Sequence, residues 1–147
     1  FGERRWTAED FRKTMVEDPA YRPDRIFFVV DPAGVPCATA SAYRHPPWGD
    51  RVGYVHYVAV RPSHAGWRLG YAVSLAVLHQ FVAEGCPWCV LTTDDWRLPA
   101  IKTYLRLGFA PFVRHASHPD RWRAVFARLG AAAPEAFDRA PPEYALP

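Results

Sequence analysis

Val60-Arg61-Pro62-Ser63-His64-Ala65-Gly66-Trp67-Arg68-Leu69-Gly70 is the stretch on which the fold turns. Residues 53–60 before and into it (GYVHYVAV) are β-branched and aromatic, which predicts a strand. Residues 69–84 after it form an apolar run of helical length, and Pro62 and Gly66 set off a loop at 62–66. A strand that passes through a glycine-containing loop into a helix is an arrangement that holds a phosphate. The first N–H groups of the helix lack internal partners, and the helix dipole favours negative charge there. Glycine allows close backbone approach and positive φ, and Gly66 and Gly70 suit that need. Taken alone, two glycines before a helix also describe an ordinary β-to-α connection.

The neighbouring elements narrow the choice. Thr7-Ala8-Glu9-Asp10 reads as a capping box opening a helix over residues 8–16. Residues 26–30 (IFFVV) form a strand, Asp31-Pro32-Ala33-Gly34 a turn, and 35–44 the hairpin partner. Residues 45–50 (HPPWGD) break the pattern before the strand at 53–60. Gly85 and Pro87 end the long helix, and 88–93 (WCVLTT) is the next strand. Pro99 opens a further helix with Ala100, Ile101, Tyr104 and Leu105 on one apolar stripe, and Gly108 stops it. Residues 109–115 are expected as a strand and 120–129 as a helix. The order is three strands, a loop, then α-β-α-β. It predicts a mixed α/β domain in which an antiparallel meander precedes a βαβ unit.

At 147 residues the chain has the length of one domain, assigned to residues 1–130, followed by an Ala/Pro-rich tail at 131–147 expected to pack loosely. The formal charge of +3 comes from scattered basic residues, which suits an anionic small molecule as well as nucleic acid. Nucleic acid is not expected as a partner, because the aromatics are dispersed and no recognition motif is present. Residues 2–10 are charged and lack the apolar core of a secretory leader. The run 71–83 carries Ser74, His79 and Gln80, so it reads as a buried helix and not a membrane span. Three cysteines give no disulfide framework and fit a reducing cytoplasm.

The segment from Val60 to Gly70 resembles the acyl-CoA signature of the GNAT superfamily of N-acetyltransferases, V-x-P-x-x-[R/Q]-G-x-G-[apolar]-[G/A]. Ala100-Ile101-Lys102-Thr103-Tyr104-Leu105-Arg106-Leu107-Gly108-Phe109 is similar to that family's A-x-x-x-Y-x-x-x-G-F helix. The likeness covers residues 26–113, and its tone is nearest to mycothiol-synthase-like members. It implies a mostly antiparallel sheet with a central splayed β-α-β unit and flanking helices. It also implies acetyl-CoA as cosubstrate, a small-molecule amine acceptor, and a monomer or homodimer. Two positions depart from the signature: Ala65 replaces Arg or Gln, and Arg68 replaces Gly. By the resemblance, Gly66, Trp67, Arg68, Leu69 and Gly70 meet the pyrophosphate, backbone groups of Val58 and Val60 pair with the pantetheine arm, and Arg97 stands where many members carry Asn.

Direct acyl transfer to an amine needs a neutral amine and a proton for the departing thiolate. Tyr104 matches the family's general-acid position, while its place on the apolar stripe also fits a core role. His56 titrates in the useful range and is the candidate base, alternatively a half-buried sheet histidine. The period of two puts Tyr54, His56, Val58 and Val60 on one strand face. Cys86-Pro87-Trp88-Cys89 is a CxxC with a helix before it and a strand after it, the reverse of a redox motif. It has no second ligand pair for zinc, so no metal is expected. Asp94 and Asp95 read as helix-capping carboxylates. His115 and His118 read as surface-loop residues, and His45, His64 and His79 as structural. A non-catalytic acyl-CoA-binding module is the alternative to an enzyme.

Overall fold

The structure is a computed structural model in which residues 7–139 are described. The expectations for residues 1–6 and for the last part of the tail lie outside them. Helix α1 (Ala8–Phe11) continues into a π-helical turn at Arg12–Val16, so the predicted helix over 8–16 is one unit with two hydrogen-bond registers. Its capping box forms: Thr7 Oγ1 accepts from Asp10 N at 3.1 Å, and Asp10 accepts from Thr7 N at 2.9 Å.

Strands β1 (Ile26–Val30), β2 (Pro36–Tyr43), β3 (Val52–Val60) and β4 (Trp88–Val90) make a four-stranded sheet in sequence order. The first two pairings are antiparallel, and β3 with β4 is parallel. Helix α2 (Leu69–Ala83) crosses between β3 and β4 and covers one sheet face with Val73, Val77 and Phe81 against Ala38, Ala40, Ala42 and Val55. Gly53 allows that approach, because a Cβ there would lie 2.6 Å from the Phe81 ring. The other sheet face packs Tyr43, Trp48, Val52 and Tyr54 together.

Helix α2 was expected to be buried, yet its outer side leaves Tyr71, Leu75 and Val82 exposed. Among the described residues nothing layers over that side. Helix α3 (Leu98–Arg106) packs on α2, and α4 (His118–Leu129) packs on α3. The strand expected over 109–115 shrinks to β5 (Phe112–Val113). It pairs in parallel with β6 (Asp138–Arg139) from the tail, apart from the main sheet. Part of the tail therefore packs as a strand.

Candidate active site

β3 and β4 pair only at Val52–Trp88, Gly53–Cys89 and Tyr54–Val90. β3 then runs on to Val60 while β4 has ended, so a cleft opens between them. The Tyr54 hydroxyl and Thr92 Oγ1, 2.5 Å apart, bridge the strands just where pairing stops. The cleft is the expected splay. It leaves the edge of β3 beyond Tyr54 unpaired on that side among the described residues.

β3 leads directly into a 3₁₀ turn at Pro62–His64 and then α2. Gly66 has φ of +87° with no atom near its Cβ position, a conformation that glycine permits and other residues resist. Arg68 is the N-cap of α2 and is left-handed, φ 58° and ψ 20°. The family's glycine at this position is thus explained by backbone geometry, and arginine has adopted that geometry. Among the described residues no side chain caps the first turn of α2. Arg61, Trp67 and Arg68 are exposed around it. Gly70 lies in α2 without a positive φ, and a Cβ there would meet Val60 Cγ2 at 3.5 Å, an ordinary contact. The loop and helix terminus form an open cradle whose N–H groups and guanidinium suit a phosphate.

The predicted common face for Tyr54, His56, Val58 and Val60 requires correction. The β2–β3 register slips between Thr39–Ala59 and Ser41–His56, and Tyr57 takes φ of 49°. This bulge flips the parity of β3. Val58 and Val60 pack with Val55 toward α2, whereas Tyr54 and His56 lie on the opposite face. A strand period of two assumes an unbroken ladder, and a bulge inserts one residue into it.

His56 sits in a ring cluster with Tyr43 and Tyr54 at 5.1 Å and Tyr57 at 3.8 Å between centroids. Burial lowers its pKa to about 4, helped by the nearby His45 and opposed by Asp18. Asp18, a residue no motif singles out, places a carboxylate beside this cluster. Its pKa is lowered by a hydrogen bond from Tyr43 and by the Ala20 N–H at 2.8 Å. The signal for Asp18 is tertiary, since the loop after the first helix folds over the sheet face.

Tyr104 stands on α3 and lines a cavity of about 520 Å³ with Thr92, Thr93, Ile101, Leu105 and Arg114. Burial raises its pKa, and the Arg97 charge opposes that rise, so these two predicted residues share one neighbourhood. Arg97 pairs with Asp94 at 2.9 Å and lies over the Trp96 ring at 4.8 Å. Asp95 makes a two-point pair with Arg121 at 2.7 and 2.8 Å, tying the loop before α3 to α4 where a cap was expected. Cys86 accepts from Arg44 Nη1 at 2.8 Å, and burial together with Cys86 pushes Cys89 up to about 11. Cys89 does not read as a reactive thiolate site. Tyr104 shares its cavity with Trp48, Val90 and Phe112, which pack with Tyr54, while His56 is not among the residues that line it.

Residues 2–109 match the profile of the Acetyltransferase (GNAT) family. The mycothiol acetyltransferase of Thermomonospora curvata is 33% identical over 107 residues, covering 73% of this chain and 34% of that protein. That of Frankia alni is 32% identical over 131 residues, covering 84% of this chain and 38% of that one. The chain spans about a third of the length of the curated relatives it matches. Among solved structures, a GNAT-family acetyltransferase from Staphylococcus aureus superposes with a TM-score of 0.53 at 12% identity, covering 68% of this chain and 59% of that one. An acetyltransferase from Trypanosoma brucei does so with a TM-score of 0.50 at 26% identity, covering 73% and 71%. The first of these speaks to the fold alone.

Proposed function

Because the chain belongs to the GNAT family of acetyltransferases, we propose that it binds acetyl-CoA and transfers the acetyl group directly to the amine of a small acceptor. The observation that carries this reading is that β3–β4 pairing stops at Tyr54 and Val90, while β3 runs on through the Pro62–His64 turn to the uncapped start of α2. Acetyl-CoA, when bound, supplies an activated carbonyl and a thiolate leaving group. N–H groups from Gly66 to Gly70 and the Arg68 guanidinium hold the diphosphate. The free edge of β3 at Val58 and Val60 offers main-chain partners to the amide-bearing arm. Arg97 flanks that arm through its position near Tyr104.

Tyr104 is the proton donor to the departing sulfur. Its raised pKa keeps the phenol protonated at neutral pH, so a proton is always there to give. His56 accepts the amine proton, directly or through one water. Its lowered pKa keeps it neutral, at the cost of basicity. The names of the curated relatives make mycothiol-type amines the first acceptors to assay.

One observation favours a second reading. Arg68 places a long side chain at the mouth of the anion cradle, where it can obstruct as well as pair, and Ala65 lacks the usual brace. The chain is then an acyl-CoA-binding module without turnover. Two measurements separate the readings. Acetyl-CoA at saturation should raise the melting temperature, as a ligand of the native state does by mass action. Thiol release should then require an added amine. An absent shift at millimolar acetyl-CoA defeats both readings. A shift without thiol release across an amine panel leaves the module.

A further inference from the structure

The turn after β1, the start of β2 and the loop before α2 meet at a point that the acyl-transfer residues do not use. Three side chains of metal-ligating type converge there. One ligand atom from each of Asp31, Cys37 and His64 lies within 4.8 Å of the others. Each is positioned by its own bonds. Asp31 Oδ1 accepts from the N–H groups of Ala33 at 2.9 Å and Val35 at 2.8 Å, which leaves Oδ2 for another partner among the described residues. Cys37 is 2% exposed, and its thiol donates to the Val35 carbonyl at 3.3 Å. The Arg61 N–H donates to the Cys37 carbonyl at 2.8 Å, fastening β2 to the loop that carries His64. Ser63 Oγ lies 2.9 Å from His64 Nδ1, and Trp67 packs edge-on to the ring at 5.3 Å.

We propose that Asp31, Cys37 and His64 form a site for a zinc-type divalent cation that staples the hairpin turn to the anion-binding loop. The donor set decides the class of ion. A thiolate and an imidazole beside one carboxylate suit a borderline-soft, four-coordinate cation and not magnesium or calcium, which take oxygen ligands. Bonds of about 2.0–2.3 Å place tetrahedral ligand atoms roughly 3.3–3.8 Å apart, so a pair at the 4.8 Å limit must close by about 1–1.5 Å. Side-chain rotation supplies that movement. On binding, the Cys37 thiol gives up its bond to Val35 and releases its proton to solvent. The dication then balances one thiolate and one carboxylate, and the fourth position is left to water or an anion. The hydrogen bond at His64 Nδ1 holds the imidazole as outer-shell partners of metal ligands do.

The site is tested without acyl transfer. In the chain carrying Cys86→Ser and Cys89→Ser, Cys37 is the one remaining thiol. Titration with Co²⁺ should give visible bands of four-coordinate cobalt together with thiolate-to-cobalt charge transfer. Adding Cys37→Ser should abolish the charge transfer. Asp31→Asn, which keeps the turn's acceptor, and His64→Ala should each weaken Co²⁺ at least tenfold. Substitution at Cys37 can cost folding, so a second readout uses the unaltered thiols. Zn²⁺ should raise the melting temperature of the wild-type chain and do so much less in His64→Ala. Cobalt without charge transfer, or a zinc shift unchanged by His64→Ala, overturns the proposal. Asp31 is then a turn carboxylate and Cys37 a packed thiol.

Discussion

Tyr104 and His56 are both moved by burial, and both movements favour the neutral side chain: the phenol's pKa rises and the imidazole's falls to about 4. Tyr104→Phe keeps the ring packed edge-on to Phe109 and removes the proton. With the true acceptor, kcat should fall by about 10²-fold or more, while melting temperature and acetyl-CoA affinity stay put. An unchanged kcat returns Tyr104 to the core. The pH profile tests His56. A base titrating near 4 stays deprotonated down to mildly acidic pH, so its limb in kcat/KM belongs near pH 4 and should vanish in His56→Gln. A limb at neutral or higher pH that survives the substitution belongs to the acceptor amine. At this scale the sequence reveals Tyr104, because one helix carries the whole pattern from Ala100 to Phe109. It does not reveal Asp18, whose partnership with Tyr43 and His56 is made by loops folding over a sheet.

Elements were read well where a period or a cap defines them and poorly where backbone geometry departs from the period. The strand at 26–30, the helix beginning at Leu69 and the capping box at Thr7 coincide with the structure. The bulge in β3 went unseen because a tyrosine, not a glycine, occupies its left-handed position. The same conformation at Arg68 makes a discriminating test. Arg68→Gly relieves a left-handed arginine, worth about 1 kcal/mol, partly offset by the greater freedom of glycine in the unfolded chain. Its melting temperature should hold or rise. Arg68→Ala keeps the unfavourable conformation and gains nothing. Both should weaken acetyl-CoA by about 1–3 kcal/mol, the range for hydrogen bonds to charged groups. Tighter binding by the glycine variant would make the guanidinium an obstruction. Gly53→Ala probes the packing of β3 against α2. Its methyl group would meet the Phe81 ring at 2.6 Å, and overpacking of that kind costs about 1–3 kcal/mol, read as a lower denaturation midpoint.

For the whole molecule, the succession of elements was legible, but its lateral closure was not. Residues 109–115 have strand composition, yet only Phe112–Val113 pair, and they do so with Asp138–Arg139 from a tail whose Ala and Pro content gives no strand period. One ionic hub also joins distant parts. Glu84, just past α2, meets Arg25 before β1 at 2.8 Å and also pairs with Arg44 after β2. Burial opposes its ionisation, but Gln80, Arg25 and Arg44 together hold its pKa below the ordinary 4.5. This hub and His56 predict how the fold fails in acid. His56 has an ordinary value of 6.5 and a folded value of about 4. Between those values the unfolded chain binds more protons, so stability is complete above about pH 6.5 and declines as pH falls toward 4. The full loss is about 3 kcal/mol at most. Glu84 has the same sign in a lower window. Its contribution is complete above the ordinary carboxylate value and disappears as pH falls through its depressed one. Melting temperature against pH should therefore fall in two stages. His56→Gln should flatten the first and leave the second. Glu84→Gln should cost about 1–3 kcal/mol at neutral pH, through charged hydrogen bonds lost, and flatten the second. Superposed curves for wild type and His56→Gln from pH 7 to about 4 would mean that the imidazole is solvated and that β3 does not bury it.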